Sequence, residues 1–120
     1  MNSLYAAVAA SLREGPVDNG ESVTASFVFT GTFAGFDGHF PGNPVVPGIA
    51  QIYAAMITLG GSMALSEVRR CKFMRPVLPD EAVAVTVFRE STEAALRCKA
   101  EVTANGEVCA TMNLVLTPAE

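Results

Sequence analysis

The stretch between Asp37 and Glu67 contains no Asp, Glu, Lys or Arg, and this charge-free run constrains the fold more than any other feature of the chain. A membrane-spanning helix needs roughly 20 mainly apolar residues, so length alone permits one. The order of residues argues otherwise. Pro41, Pro44 and Pro47 interrupt the first part of the run, and Gln51, Gly60 and Gly61 interrupt the rest. The run therefore reads as a loop followed by a helix of about 12–14 residues that is apolar on nearly all sides, and such a helix is buried in protein. Pro47-Gly48 suits its first turn, because proline lacks the N–H that goes unpaired there. Gly60-Gly61 marks its end.

On both sides of this helix the pattern changes. Ser3 to Arg13 is compatible with a short amphipathic helix ended by Gly15-Pro16. Glu21 to Thr30 reads as a strand, with Val23, Ala25, Phe27 and Phe29 on one face. After the helix the period is two, as in strands. Val68 to Phe73 is a strand candidate, broken by Pro76-Val77-Leu78-Pro79-Asp80. Ala82 to Arg89 is rich in valine, and Ala94 to Thr103 alternates, with Leu96, Cys98, Ala100 and Val102 on its apolar face. Asn105-Gly106 is a strong hairpin signal, since both residues tolerate positive φ. Val108 to Thr117 returns, with Val108, Ala110, Met112, Leu114 and Leu116 expected inward. The expected class is α+β, an antiparallel sheet wrapped around one long buried helix. Periodicity alone leaves a generic α+β sandwich open.

The 120 residues fit one domain, taken as residues 1–120. Only 17% are charged, which is low for a small monomer, and apolar surface buried between subunits accounts for it. The net charge of -4 argues against general nucleic-acid binding, which depends on basic groups that neutralise phosphate. Cys71, Cys98 and Cys109 are odd in number and form no Cys-x-x-Cys pair, so they signal neither a disulfide framework nor a zinc site. They read as reduced core or near-core residues of a cytoplasmic protein. Met1 to Leu12 lacks the basic start and long apolar run of a signal peptide.

The segment Phe36-Asp37-Gly38-His39-Phe40-Pro41-Gly42-Asn43-Pro44-Val45-Val46-Pro47-Gly48 closely resembles the active-site segment of the bacterial 3-hydroxyacyl-ACP dehydratases of fatty-acid synthesis. A second stretch, Cys71-Lys72-Phe73-Met74-Arg75-Pro76-Val77-Leu78-Pro79-Asp80, resembles that family's Lys/Arg-Phe-x-Arg-Pro-Val-x-Pro-Gly-Asp segment without its glycine. The resemblance covers roughly residues 21 to 117 and implies the hotdog fold, a dimer at least, and an acyl thioester of acyl carrier protein or coenzyme A as substrate.

It also implies roles for particular residues. Dehydration removes a weakly acidic α-proton and expels a hydroxide. A base for this should titrate near neutral pH, as a free histidine does at about 6.5. His39 matches the family's base. Gly48 matches the residue whose backbone N–H polarises the thioester carbonyl, and a helix N-terminus offers such unpaired N–H groups. Phe40, Pro41, Gly42 and Pro47 flank these two and are expected to shape the substrate site. Neither step needs a metal or organic cofactor.

The resemblance fails at one point. The family carries Glu or Asp fourteen residues after the histidine, to protonate the leaving hydroxyl; here that position is Tyr53, and the family's nearby glutamine is Ile57. Tyr53 stands either as a replacement acid or as a filler of the lost carboxylate's space. Phe27, Phe29, Phe33 and Phe36 are core residues or line an acyl pocket. Asp37 is a turn residue or orients His39. Arg69, Arg70, Lys72 and Arg75 crowd four of the eight basic residues together, either as a patch for an acidic carrier or coenzyme A phosphates, or as a solvated strand edge. Four functions follow: an active 3-hydroxyacyl thioester dehydratase, one subunit of a hetero-oligomeric dehydratase, a non-catalytic acyl-ACP or acyl-CoA binder, and a hotdog thioesterase.

Overall fold

The computed structural model describes residues 3–36, 44–60, 63–91 and 96–118. Helix α1 (Ser3–Ala10) is followed by strands β1 (Leu12–Asp18) and β2 (Ser22–Val28), a single helical turn over Ala34–Phe36, and helix α2 (Gly48–Leu59). Strands β3 (Met63–Phe73), β4 (Ala82–Ser91), β5 (Leu96–Ala104) and β6 (Glu107–Pro118) complete the order. The six strands form one antiparallel sheet in the order β1-β2-β4-β5-β6-β3. Helix α2 lies against its inner face, packed on β2 and β4, with α1 beside it.

The period-two patterns account for the inner face. Val23, Ala25 and Phe27 of β2, Val83, Val85 and Val87 of β4, and Cys98, Ala100 and Val102 of β5 are all buried. Phe29, just past β2, joins them. Each large apolar side chain so placed contributes roughly 1.5–3 kcal/mol. The aromatic run belongs to this core: Phe27 stacks on Phe29, Phe29 meets Phe33 edge-on, and Phe33 meets Phe36 the same way. All three cysteines are free, Cys98 and Cys109 buried and Cys71 half-buried. Burial raises each thiol's pKa, that of Cys98 to about 11.

The structure corrects the sequence reading in four places. First, the N-terminal helix stops at Ala10, and the chain continues as β1 straight through Gly15-Pro16. Proline is acceptable there because β1 is an edge strand with register shifts on either side of Glu14. Gly15 is required: its φ is +84°, and a Cβ would sit 2.8 Å from the Thr24 carbonyl oxygen.

Second, β3 begins at Met63 rather than Val68. It is the other edge strand, and its side chains are mostly exposed, so burial imposed no alternation on its sequence. Third, Val108 is 39% exposed and Cys109 is fully buried. Val102 pairs with Ala110 but Thr103 with Val108, so an extra residue on β6 reverses the facing of this strand's start. Fourth, α2 is not covered all round. Ala50, Gln51, Ile52, Ala54, Ala55 and Thr58 are buried, whereas Ile49 is exposed and Tyr53, Met56 and Ile57 are only half-buried. One sheet covers one face of a helix. α1 covers part of the other.

The Asn105-Gly106 turn has φ of 52° and 77°, as a type I′ hairpin requires. Among the described residues no helix is long and apolar enough to cross a membrane.

Candidate active site

Helix α2 opens at Pro47, whose extended backbone (φ -60°, ψ 149°) turns the chain into Gly48. The Pro47 carbonyl accepts from the N–H groups of Ala50 (3.0 Å) and Gln51 (3.3 Å). The N–H groups of Gly48 and Ile49 precede the first helical bond, so they have no partner within the helix and lie at the positive end of its dipole. No side chain caps this end.

A cavity of about 330 Å³ opens at this helix start, lined by Val45, Val46, Pro47, Gly48 and Gln51 on one side and by Phe73, Met74, Arg75 and Pro76 on the other. The two segments that resemble the dehydratases thus meet as its two walls. The Val46 N–H donates to the Val77 carbonyl (2.8 Å) and ties them together. The N–H groups of Met74 and Arg75 donate to the Cys109 carbonyl and hold the second wall to β6.

The connection between β3 and β4 is clamped by Glu81. Its carboxylate accepts from both terminal guanidinium nitrogens of Arg75 (2.7 Å each), from the Leu78 N–H (2.8 Å) and from Asn105 Nδ2 (2.8 Å). The bonds from Arg75 and then Leu78 hold the Glu81 carboxyl below the usual carboxylate range, and Glu81 in turn raises the guanidinium of Arg75. Glu81 was missed in the sequence. The residue before it, Asp80, has φ of +66°, the left-handed region that favours glycine, and turns the chain into Glu81.

Gly48 has a packing role beside any functional one. A Cβ there would lie 2.7 Å from Cζ of the Phe73 ring. Phe73 is 51% exposed and Met74 55%, so these two form the rim of the cavity, while Val46 and Gln51 form its floor at 3% and 4% exposure. Gln51 is the second residue that sequence reading missed. It was visible only as a break in an apolar run.

His39, with Phe40, Pro41, Gly42 and Asp37, lies outside the described residues. Pro47, Gly48 and Arg75 come together at the cavity. Tyr53 does not. It follows Gly48 by five positions, about 140° around an α-helix at 3.6 residues per turn. Its ring packs edge-on against Tyr5 of α1, centroids 5.3 Å apart. The basic cluster divides as well. Arg75 is held by Glu81 and Arg69 by Glu67 at 2.7 Å, while Arg70 and Lys72 line a shallow depression on the sheet with Glu90, Lys99, Thr111 and Asn113. Among the described residues no group of His, Cys, Asp and Glu is arranged to hold a metal ion.

An antiparallel six-stranded sheet laid against one apolar helix, with a cleft at the helix start, defines a hotdog-fold protein. The chain belongs to the ApeI-like dehydratase family, whose model matches residues 16–113, and the family is one of hydro-lyases. It is 31% identical over 106 residues to a 3-hydroxyacyl-acyl-carrier-protein dehydratase, FabZ, of Polynucleobacter necessarius, covering 78% of this chain and 71% of that one. The corresponding FabZ of Listeria welshimeri is 30% identical over 110 residues, covering 72% and 76%. Among solved structures, the dehydratase heterocomplex ApeI:P of Xenorhabdus doucetiae superposes with a TM-score of 0.65 at 19% identity, over 87% of this chain and 99% of that chain. The PaaI protein of the phenylacetic acid degradation operon of Escherichia coli superposes with a TM-score of 0.64 at 12% identity, over 83% and 74%. These two likenesses are of fold.

Proposed function

We propose that this chain dehydrates 3-hydroxyacyl thioesters carried by acyl carrier protein or coenzyme A. His39 removes the α-proton. The Gly48 N–H, at the positive end of α2, stabilises the enolate oxygen that develops on the thioester. Phe40, Pro41, Gly42 and Pro47 shape the pocket around them. The observation that carries this reading is the cavity at Gly48, where the two segments shared with the dehydratases face each other. Of the basic residues, Arg70 and Lys72 are the better placed to attract an acidic carrier, since Arg69 and Arg75 already have carboxylate partners. The three free cysteines fit a reducing cytoplasm.

The proton for the leaving hydroxyl has a separate source. Tyr53 sits around the helix from Gly48, so within one chain it does not face the same cavity. A second subunit supports the chemistry better: its α2 presents the acid, and this chain presents His39 and Gly48. The exposed β3 edge and the half-bare face of α2 support such an assembly. The solved ApeI:P dehydratase of similar fold is a heterocomplex, which favours a hetero-oligomer alongside the homodimer.

The test is turnover of 3-hydroxyacyl-ACP and of the CoA ester, by the chain alone and with related hotdog subunits. Turnover lost on His39→Ala supports the reading. Activity that appears only with a partner assigns the acid to that partner. Binding of the thioester with no turnover in either case would leave a carrier-binding protein in place of an enzyme. Tyr53→Phe with undiminished activity removes the phenol from the mechanism. Tyr53→Glu should raise activity if the rest of the site is intact.

A further inference from the structure

Among the described residues, Gln51 is the one polar side chain on the floor of the cavity, and it is 4% exposed. Its Nε2 donates to the Val46 carbonyl at 3.4 Å. A carbonyl only accepts, so this contact fixes which end of the amide faces Val46. The other end, Oε1, is buried with no hydrogen-bond partner among the described residues. A buried acceptor left unpaired is costly, and natural structures retain few of them. Thr58, on the same helix and also buried, shows the usual solution: its hydroxyl donates to the Ala54 carbonyl at 2.8 Å. Gln51 has no such internal use, and its single tether is long. Gln51 lines the cavity, so a ligand there is the nearest source of a donor for that oxygen.

The geometry narrows what Oε1 meets. Gln51 lies three positions after Gly48, nearly one helical turn on, so both face the same cavity. Under the function proposed above, on which this inference rests, the thioester carbonyl is held at the Gly48 N–H. The carrier arm must then leave past the exposed rim of Phe73 and Met74. The acyl side is what reaches the floor. Near the carbonyl that side carries one hydrogen-bond donor, the 3-hydroxyl. We propose that Gln51 is a specificity-determining residue, whose carboxamide oxygen accepts a hydrogen bond from the 3-hydroxyl and selects hydroxylated over saturated acyl chains.

Binding, rather than turnover, tests this. Affinities for 3-hydroxyoctanoyl- and octanoyl-pantetheine are measured by calorimetry in a His39→Ala background, with Gln51 and with Gln51→Met. Methionine matches glutamine in length and removes the acceptor. The hydroxylated ligand should lose about tenfold in affinity, while octanoyl binding changes by less than about twofold. Octanoyl binding also reports that the site is still folded. Gln51→Glu, which when protonated keeps a donor for Val46 and an acceptor for the ligand, should retain the preference at low pH and serves if the methionine variant does not fold. Equal losses for both ligands would mean that Gln51 reads the pantetheine amides or only supports the fold, and either overturns the proposal. No loss for either ligand overturns it too. If neither thioester binds with Gln51 in place, whether the chain is alone or with its partner subunit, the dehydratase reading itself fails, which is a different result from binding without discrimination.

Discussion

Gly48→Ala separates the packing role of this residue from the role toward substrate proposed for it. The added methyl carbon would start 2.7 Å from Cζ of Phe73, with two further ring carbons at 3.1 and 3.3 Å. Unstrained carbon contacts begin at about 3.5 Å, so the ring tip must retreat by roughly 0.8 Å. Phe73 is 51% exposed and sits at the end of an edge strand, so it has room to do so. Alanine also favours the helix, by up to about 1 kcal/mol relative to glycine. The two effects oppose each other. The net change in stability should stay within about 1 kcal/mol, or roughly 4 °C in melting temperature for a chain of this size.

Activity should respond differently. Under the proposed function, the methyl group and the displaced ring both intrude on the approach of a thioester carbonyl to the Gly48 N–H. A misplacement near 1 Å costs on the order of 10²-fold in rate, so kcat/KM should fall by about that factor. The assay pairs thermal melting with kcat/KM on a 3-hydroxyacyl thioester, using whichever subunit composition turns over. Gly48→Ala/Phe73→Leu adds a control: the smaller side chain relieves the contact and should recover stability without recovering activity. An unchanged melting temperature with kcat/KM within about threefold of the parent would refute substrate approach at residue 48. A loss of more than about 3 kcal/mol would refute the claim that the Phe73 ring is free to yield.

Three further outcomes follow from the same geometry. Met112 is completely buried, so Met112→Ala should cost about 2–5 kcal/mol in chemical denaturation. Val108→Asp should be tolerated within about 0.5 kcal/mol, whereas Ala110→Asp should prevent folding; similar effects from both would contradict the bulge in β6. Glu81 is held below its ordinary value of 4.5, first by Arg75, and Asp18 is held at about 2, below its ordinary 3.8, first by Arg89. A depressed carboxyl contributes stability that is complete above its unfolded pKa and is lost as pH falls through the folded one. Stability should therefore hold down to about pH 4.5 and decline from there toward pH 2, and Glu81→Gln should flatten part of that decline in urea melts taken across the range.

Much of the fold was legible because it rests on patterns that are local in sequence. The uncharged run and its Pro47-Gly48 and Gly60-Gly61 ends delimited α2 closely, since caps and breakers act within a turn. The alternation in β4 and β5 set their inner faces. β1 escaped because its glycine and proline read as breakers, and only the pairing with β2 at the sheet edge makes an extended strand of them. The facing of Val108 depended on a one-residue shift against β5, which no feature of β6 announces.

The candidate site divides along the same line. The sequence by itself determined which residues match the site motif of the resembling family, His39 and Gly48, and which position departs from it, Tyr53, because these are matters of identity and spacing. The tertiary structure alone decided that Pro47, Gly48 and Arg75 share one cavity while Tyr53 lies around the helix against Tyr5. It alone gave Glu81 its clamp on Arg75 and left the oxygen of Gln51 without a partner among the described residues on the cavity floor. Hydrogen-bond satisfaction and burial are properties of neighbours brought together from distant segments, and a linear pattern does not encode who those neighbours are.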